Sequence, residues 1–187
     1  MPVTPGQKAP DFKTTALIGR AFQEISLHDY AGSWVVLFFY PMNFTSLCPT
    51  EIIDFNEMFK NFDASDTVLI GGSTDTEFSH VAWVQSHPDL GALHFPLFSD
   101  RNRRIAMDYG VLVPEEGYAL RGTFIIDPRG IVRWMSIHDL YVGRNVSEIL
   151  RVLNALQTNA FCPSNWHPGD ETLCSAVDAA LLNSRQS

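Results

Sequence analysis

The chain of 187 residues has few basic side chains, few cysteines and no long apolar segment, and each shortage excludes a class of protein. Lys and Arg number 13 against 21 Asp and Glu, and the resulting net charge of −8 argues against a nucleic acid partner, which would need a basic surface. The longest apolar run, residues 34–42, is far shorter than the roughly 20 residues of a membrane-spanning helix. We therefore expect a protein that neither binds nucleic acid nor spans a membrane.

Targeting and metal-binding motifs are also missing from the sequence. The N-terminal residues MPVTPGQKAPDF have no basic segment followed by an apolar one, so no signal peptide is predicted and a cytoplasmic location is expected. The three cysteines contain no C-x-x-C pair and the six histidines are scattered, which argues against a structural metal site. No G-x-G-x-x-G segment opens a helix, so the usual NAD or FAD site is not expected either.

Apolar patterns along the chain predict strands that alternate with helices. The predicted strands are residues 21–27, 34–40, 67–74 and 93–100, followed by a hairpin of 122–127 and 131–137. The predicted helices are 50–62, 76–87, 101–110 and 145–160, and residues 1–14 are predicted to be an irregular arm. In the second helix the side chains expected to face inward are Phe78, Ala82 and either Val81 or Trp83. This order predicts one α/β domain with a mixed central sheet flanked by helices.

The segment FFYPMNFTSLCPTEI, residues 38–52, places Cys48 where a buried strand gives way to a helix. Unpaired backbone N–H groups and the positive end of the helix dipole would favour a thiolate there, and the thiolate is the nucleophilic form of cysteine. Pro49 suits the first helical turn, Pro41 can separate the sulfur from water, and Thr45 can offer its hydroxyl beside it. The same pattern also fits a cysteine that is only a small buried apolar residue, so both interpretations stay open.

Residues 41–52, PMNFTSLCPTEI, also match the PxxxTxxCP signature of the peroxiredoxins, in the typical two-cysteine branch that includes bacterial alkyl hydroperoxide reductase C. Further segments resemble the family in the same order: FSHVAWV (78–84), FPLFSD (95–100), DYGVL (108–112), RGTFIID (121–127), VGRNVSEILRVLNALQ (142–157) and CPSNWHPGD (162–170). The resemblance covers nearly the whole chain. It implies a thioredoxin-like fold with an N-terminal extension, a peroxidase domain over residues 1–160 and a C-terminal tail over 161–187.

The resemblance implies a thiol peroxidase that reduces hydrogen peroxide and organic hydroperoxides in antioxidant defence. Cys48 would attack the peroxide and become a sulfenic acid, while Thr45 would position the substrate. Pro41 would shield the sulfur. Arg121 would stabilise the thiolate and the transition state, because an arginine keeps its charge at every working pH.

The sulfenic acid would then be resolved by Cys162, which matches the family's resolving cysteine in the sequence CPSNW. The implied product is a disulfide between Cys48 and Cys162, with the tail supplied by the partner chain of a homodimer. Such a disulfide requires Cα atoms within roughly 7 Å, so the first helical turn and the tail would have to unwind together. An external dithiol, either thioredoxin or a flavoprotein disulfide reductase, would reduce the disulfide, and no cofactor is needed.

Several residues keep two interpretations. Glu51 and Arg144 match family positions that orient the charged network around the cysteine, but they could also form an ordinary surface salt bridge. Cys174 could be a structural thiol of the tail or a second resolving thiol. Four aromatic residues could be plain core or a contact between dimers in a decamer: Phe44, Phe78, Trp83 and Tyr109.

Two other functions are compatible with the same residues. The chain could be an oligomeric holdase chaperone, or a redox relay that passes its disulfide to a partner protein. Peroxide-dependent consumption of a reductant separates the peroxidase from the chaperone, and mixed disulfides trapped by Cys162→Ser would favour the relay.

Overall fold

The computed structural model describes residues 2–173, so Cys174 and the rest of the predicted tail after it lie outside the described residues. The strands are β1 (Lys13–Ile18), β2 (Ala21–Ser26), β3 (Trp34–Phe39), β4 (Thr67–Ser73), β5 (Leu97–Ser99), β6 (Arg121–Ile126) and β7 (Val132–His138). The helices are α1 (Cys48–Glu57), α2 (Phe59–Asp63), α3 (Glu77–Ser86), α4 (Arg104–Asp108) and α5 (Val146–Gln157), with a 3₁₀ helix at Leu27–Tyr30. None of the helices in this part of the chain is long and apolar enough to cross a membrane.

Within residues 2–173 the strands form a seven-stranded mixed sheet in the order β2-β1-β5-β4-β3-β6-β7. β3, β4 and β5 are parallel neighbours, whereas β6 runs antiparallel to both β3 and β7. The predicted α/β class, the predicted hairpin and the predicted edge strand over 21–27 are confirmed. β1 was not predicted, and it shortens the irregular arm expected over residues 1–14, because Lys13 already pairs with Ser26.

The central strand β3 is covered on both faces, as its continuous apolar sequence predicts. On one face Phe38 stacks on Phe55 of α1, with ring centroids 4.1 Å apart. On the other face the Phe39 ring lies 5.5 Å from that of Tyr109, which follows α4. A Cβ added at Gly71 of β4 would lie 2.3 Å from the Phe38 ring, so this neighbouring position requires glycine. The packing fixes the end of β3 and the start of the loop that leads to α1.

Two helices differ from the sequence prediction. The single helix predicted over residues 50–62 is divided at Met58, where ψ is 3° and the chain leaves helical geometry before α2 begins. The inward face predicted for α3 is largely wrong, because Phe78 is 66% exposed and Ala82 is also exposed. The buried side chains of α3 are His80, Trp83 and Val84.

The chain divides into two compact units, Met1–Val146 and Ser147–Ser187. The first contains the whole sheet and helices α1 to α4. The second contains all but the first residue of α5 and the irregular segment after it. In that segment Leu173 N donates to the Phe161 carbonyl at 2.8 Å, and Trp166 Nε1 donates to the Asp170 carbonyl at 3.1 Å. These bonds give the described part of the tail a defined conformation.

Candidate active site

Cys48 is the first residue of α1, at the end of the loop that connects β3 to this helix. Pro49 follows it in the first helical turn, where the missing N–H of a proline removes no hydrogen bond. The Cys48 side chain is fully buried. The sulfur therefore lies at the N-terminal end of the helix, where unpaired N–H groups and the helix dipole favour negative charge, and bulk water does not reach it.

Arg121 brings a permanent positive charge to this sulfur. It is the first residue of β6, and because β6 runs antiparallel to β3, its side chain lies near the end of β3. Its Nη1 is 3.5 Å from Cys48 Sγ and donates to Glu51 Oε2 at 2.6 Å, while its Nε donates to the Leu140 carbonyl at 2.9 Å. With its side chain 5% exposed, the guanidinium is held in place by both partners and is shielded from solvent.

Glu51 and Arg144 complete a buried ionic network around Arg121. Arg144 Nε donates to Glu51 Oε1 at 2.9 Å, and its Nη2 donates to Glu51 Oε2 at 2.8 Å. Arg144 Nη1 also donates to the Phe39 carbonyl at 2.8 Å, which joins the network to β3. The side chains of Arg144 and Glu51 are 1% and 2% exposed, so this pair is not the surface salt bridge that the sequence left as an alternative.

The network carries an excess of positive charge. Burial alone would raise the pKa of Glu51, but the charges of Arg144 and Arg121 and the hydrogen bonds from Arg144 outweigh it, so its pKa lies below the ordinary value. Two guanidinium groups then face one carboxylate in a buried site. Since buried charges are stable only when they are paired, a thiolate at Cys48 would bring this cluster to neutrality.

Acidification is expected to remove the stability that Glu51 contributes. Its folded-state pKa lies below the ordinary 4.5, so the contribution is complete above that pH and is lost as the pH falls through the lowered pKa. The difference in free energy of unfolding between wild type and Glu51→Gln should therefore shrink below about pH 4.5. Urea unfolding of both proteins between about pH 7 and pH 3 measures this difference in free energy. A difference that does not change with pH would contradict this assignment.

Pro41 and Thr45, the two predicted loop residues, lie between β3 and α1. Pro41 is buried, whereas Thr45 is exposed and its Oγ1 donates to the Met42 carbonyl at 3.1 Å. A hydroxyl that donates to a carbonyl keeps lone pairs that can accept a further hydrogen bond. The Thr45 hydroxyl therefore has acceptor capacity on the exposed side of the loop.

Sequence reasoning missed a polar cluster beneath this loop. The Tyr40 hydroxyl donates to Asn43 Oδ1 at 2.9 Å and lies 3.2 Å from Nδ1 of His80 on α3, and all three residues are buried. Asn43 N also donates to Asp75 Oδ2 at 2.9 Å. The signal in the sequence was His80 within the predicted helix 76–87, because a histidine needs polar partners wherever it lies in a core.

Cys162, the predicted resolving cysteine, lies in the second unit and is a free thiol in this structure, as is Cys48. Its Sγ is 3.5 Å from the Thr158 hydroxyl and donates to the Ala155 carbonyl at 3.7 Å. The sulfur is half-buried. Its contacts are therefore with the end of α5 and the residues just after it.

The four aromatic residues with two interpretations fall into two classes. Trp83 and Tyr109 are 1% and 0% exposed and belong to the core. Phe44 and Phe78 are 62% and 66% exposed, and the Phe78 ring makes an edge-to-face contact with that of Phe22 at 5.4 Å. The exposed pair alone is available for contact with another molecule.

Comparisons of this chain with known proteins match it to one protein family. Residues 5–135 match the AhpC/TSA family. Peroxiredoxin TSA1-B of Candida albicans is 45% identical over 181 residues, which cover 93% of this chain and 92% of the relative. The mitochondrial thioredoxin-dependent peroxide reductase of Drosophila melanogaster is 48% identical over 169 residues, which cover 87% of this chain and 72% of the relative.

Solved structures give the same result. The reduced 2-Cys peroxiredoxin of Plasmodium vivax has a TM-score of 0.89 at 34% identity, with 98% of this chain and 100% of that chain covered. AhpC of Mycobacterium tuberculosis has a TM-score of 0.82 at 40% identity, with 89% and 100% covered. Both similarities extend over nearly all of the described chain, so they concern the fold as well as the residues around the cysteine.

Proposed function

This chain belongs to the AhpC/TSA family, has the thioredoxin-like fold expected from its sequence and reduces peroxides with a thiol, and we propose that Cys48 supplies that thiol. The observation that carries the proposal is the 3.5 Å contact between Arg121 Nη1 and Cys48 Sγ. It lies inside a buried network that has one positive charge in excess. A thiolate is the species that this environment stabilises best.

In the first step the Cys48 thiolate attacks one oxygen of the peroxide, and the O–O bond breaks. Cys48 becomes a sulfenic acid, and the leaving oxygen takes up a proton to become water or an alcohol. The negative charge that develops on this oxygen needs donors, which Arg121 supplies from a fixed position. Thr45 accepts a hydrogen bond from the peroxide O–H, and Pro41 keeps water away from the sulfur. Glu51 and Arg144 orient Arg121 and hold it at the cysteine.

In the second step a second thiol attacks the Cys48 sulfenic acid, a disulfide forms and water leaves. We propose Cys162 as that thiol, with residues 161–187 acting as the resolving tail on a peroxidase domain of residues 1–160. Cys48 is fully buried at the start of α1, so the disulfide requires the first turn of this helix to open. An external dithiol, thioredoxin or a flavoprotein disulfide reductase, then regenerates both thiols by exchange.

We also propose a cytoplasmic homodimer in which the tail of one chain reaches the Cys48 of its partner. Dimers would assemble further into a decamer. The high exposure of Phe44 and Phe78 supports a contact between dimers, because large exposed aromatic side chains are enriched at such interfaces.

A non-reducing gel after one equivalent of hydrogen peroxide tests the function and the pairing together. Wild type should give a covalent dimer, and Cys48→Ser and Cys162→Ser should each give only monomer, because the bond needs both sulfurs. Cys174→Ser is the matched control and should still give the dimer. A covalent dimer in Cys48→Ser would overturn the assignment of the nucleophile, and one in Cys162→Ser would overturn the assignment of the resolving thiol.

A further inference from the structure

In the buried cluster under the β3–α1 loop, the hydrogen-bond partner of each polar atom indicates where its proton lies. The Phe98 carbonyl can only accept a hydrogen bond, so His80 Nε2, 2.9 Å away, carries the ring proton. Burial lowers the pKa of His80, so the ring is neutral and its Nδ1 is an acceptor. Asn43 Nδ2 donates to this Nδ1 at 3.1 Å, while Asn43 Oδ1 accepts from the Tyr40 hydroxyl at 2.9 Å. The polar atoms of the three side chains are thus satisfied by one another, by the Ser79 hydroxyl and by the Phe98 carbonyl.

Asn43 ties the loop to α3 and to the end of β4. Its Nδ2 donates to Ser79 Oγ at 2.9 Å as well as to His80, and its backbone N donates to Asp75 Oδ2 at 2.9 Å. Only an amide can accept from Tyr40 and also donate to two acceptors at this position, because an aspartate of the same shape has no N–H. The loop is therefore anchored five residues before Cys48 by bonds that depend on the identity of the side chain.

The residue after this anchor is held in a strained conformation. Phe44 has φ of 58°, in the left-handed region that bulky side chains rarely adopt. Such a conformation persists only where the surroundings fix it, and the bonds of Asn43 are directly adjacent. Loss of the anchor would let Phe44 relax, and the chain between residue 43 and α1 would become free to move.

Movement of this segment matters because a protein thiol cannot reach the sulfur in the closed state. Cys48 is fully buried, so no second thiol can form a disulfide with it until the start of α1 opens. The rate of disulfide formation then scales with the fraction of molecules that are open. Any group that stabilises the closed loop slows this step and gives a second peroxide more time to oxidise the sulfenic acid to sulfinic acid.

We propose that Tyr40, Asn43 and His80 are positioning residues that hold the β3–α1 loop closed and thereby set how fast oxidised Cys48 is resolved. This inference rests on the proposed peroxidase function. It assigns the control of resolution to hydrogen bonds beneath the loop, separately from the arginines that act on the sulfur.

Tyr40→Phe tests the proposal, with Tyr109→Phe as the matched control. Each change removes one hydroxyl from a buried tyrosine, and the Tyr109 hydroxyl donates to the Pro10 carbonyl at 2.9 Å instead of joining the cluster. Loss of one buried hydrogen bond should raise the open fraction about 2- to 10-fold, so Tyr40→Phe should form the disulfide faster by that factor. Rapid mixing with peroxide, acid quenching and mass spectrometry measure the disulfide and the sulfinic acid separately. The sulfinic fraction should fall in Tyr40→Phe and stay at the wild-type level in Tyr109→Phe.

The outcomes separate this inference from the function on which it rests. If wild type is oxidised and resolved but Tyr40→Phe resolves at the rate of Tyr109→Phe, the positioning role is wrong and the peroxidase stands. If wild type shows no oxidation of Cys48 by peroxide, the proposed function itself fails. Asn43→Ala gives a second test should Tyr40→Phe not fold, and it should accelerate resolution at least as much. A wild-type rate in that variant would also overturn the proposal.

Discussion

Replacing Arg121 with glutamine is expected to slow the reaction of Cys48 with hydrogen peroxide by roughly 100- to 1,000-fold, the loss that follows removal of one preorganised donor at a site of developing charge. Two effects add here. The guanidinium 3.5 Å from Sγ favours the thiolate before the reaction, and it stabilises the leaving oxygen during the reaction. Both act in a site closed to water, where a fixed charge has more effect than in solution. The second-order rate constant from single-turnover mixing with excess peroxide measures the loss.

Two variants separate this effect from a general loss of stability. Arg133→Gln removes an arginine whose Nη1 lies 3.2 Å from the buried carboxylate of Asp127, in an ion pair that does not involve the sulfur, and it should react at the wild-type rate. Arg121→Lys keeps the charge but loses the planar guanidinium, whose Nη1 contacts Glu51 and the sulfur while its Nε donates to the Leu140 carbonyl, so its rate should be intermediate. If Arg121→Gln reacts as fast as Arg133→Gln, the arginine has no role in the chemistry.

The sequence predicts those parts of the site that depend on neighbours in the chain. The order of buried strand, loop, cysteine, proline and acidic helix start is local, so the sequence alone suffices to place Cys48 and Pro49 at a helix N-terminus. Arg121 and Arg144 lie far along the chain from Cys48, and only the family resemblance pointed to them. Their shared bonds to Glu51 depend on β6 pairing with β3, which no local pattern encodes.

The errors in the fold prediction have a common physical cause. The sequence predicts that the apolar Phe78 faces inward from α3, but the buried side of this helix contains the polar His80. His80 can be buried because its two ring nitrogens have hydrogen-bond partners, Asn43 and the Phe98 carbonyl. Burial follows satisfaction of hydrogen bonds as well as apolar character. β1 was missed for a related reason, since its sequence KTTALI has only a weak apolar alternation and is held by pairing with β2 and β5.

Replacing Glu51 with glutamine is expected to lower the free energy of unfolding by about 3–5 kcal/mol, because it leaves the buried guanidinium groups of Arg121 and Arg144 without the carboxylate that they share. For a chain of this size the midpoint of thermal unfolding should fall by roughly 6 to 20 °C. Glu24→Gln is the matched control. Glu24 binds Lys13 at 2.7 Å on the surface, with both side chains about two-thirds exposed, so its loss should leave the midpoint unchanged.

The Glu51→Gln variant also distinguishes the two roles of the Glu51 carboxylate. Glu51 holds Arg121 in place through the 2.6 Å bond to Nη1, but it also cancels one of the two positive charges near Cys48. If orientation matters more, folded Glu51→Gln should react more slowly with peroxide, since Arg121 loses its fixed position. If charge matters more, the remaining excess of positive charge should keep the thiolate and preserve the rate. We expect the slower rate, because Arg121 can stabilise the leaving oxygen only from a fixed position, and an unchanged rate constant in protein shown to be folded would contradict this expectation.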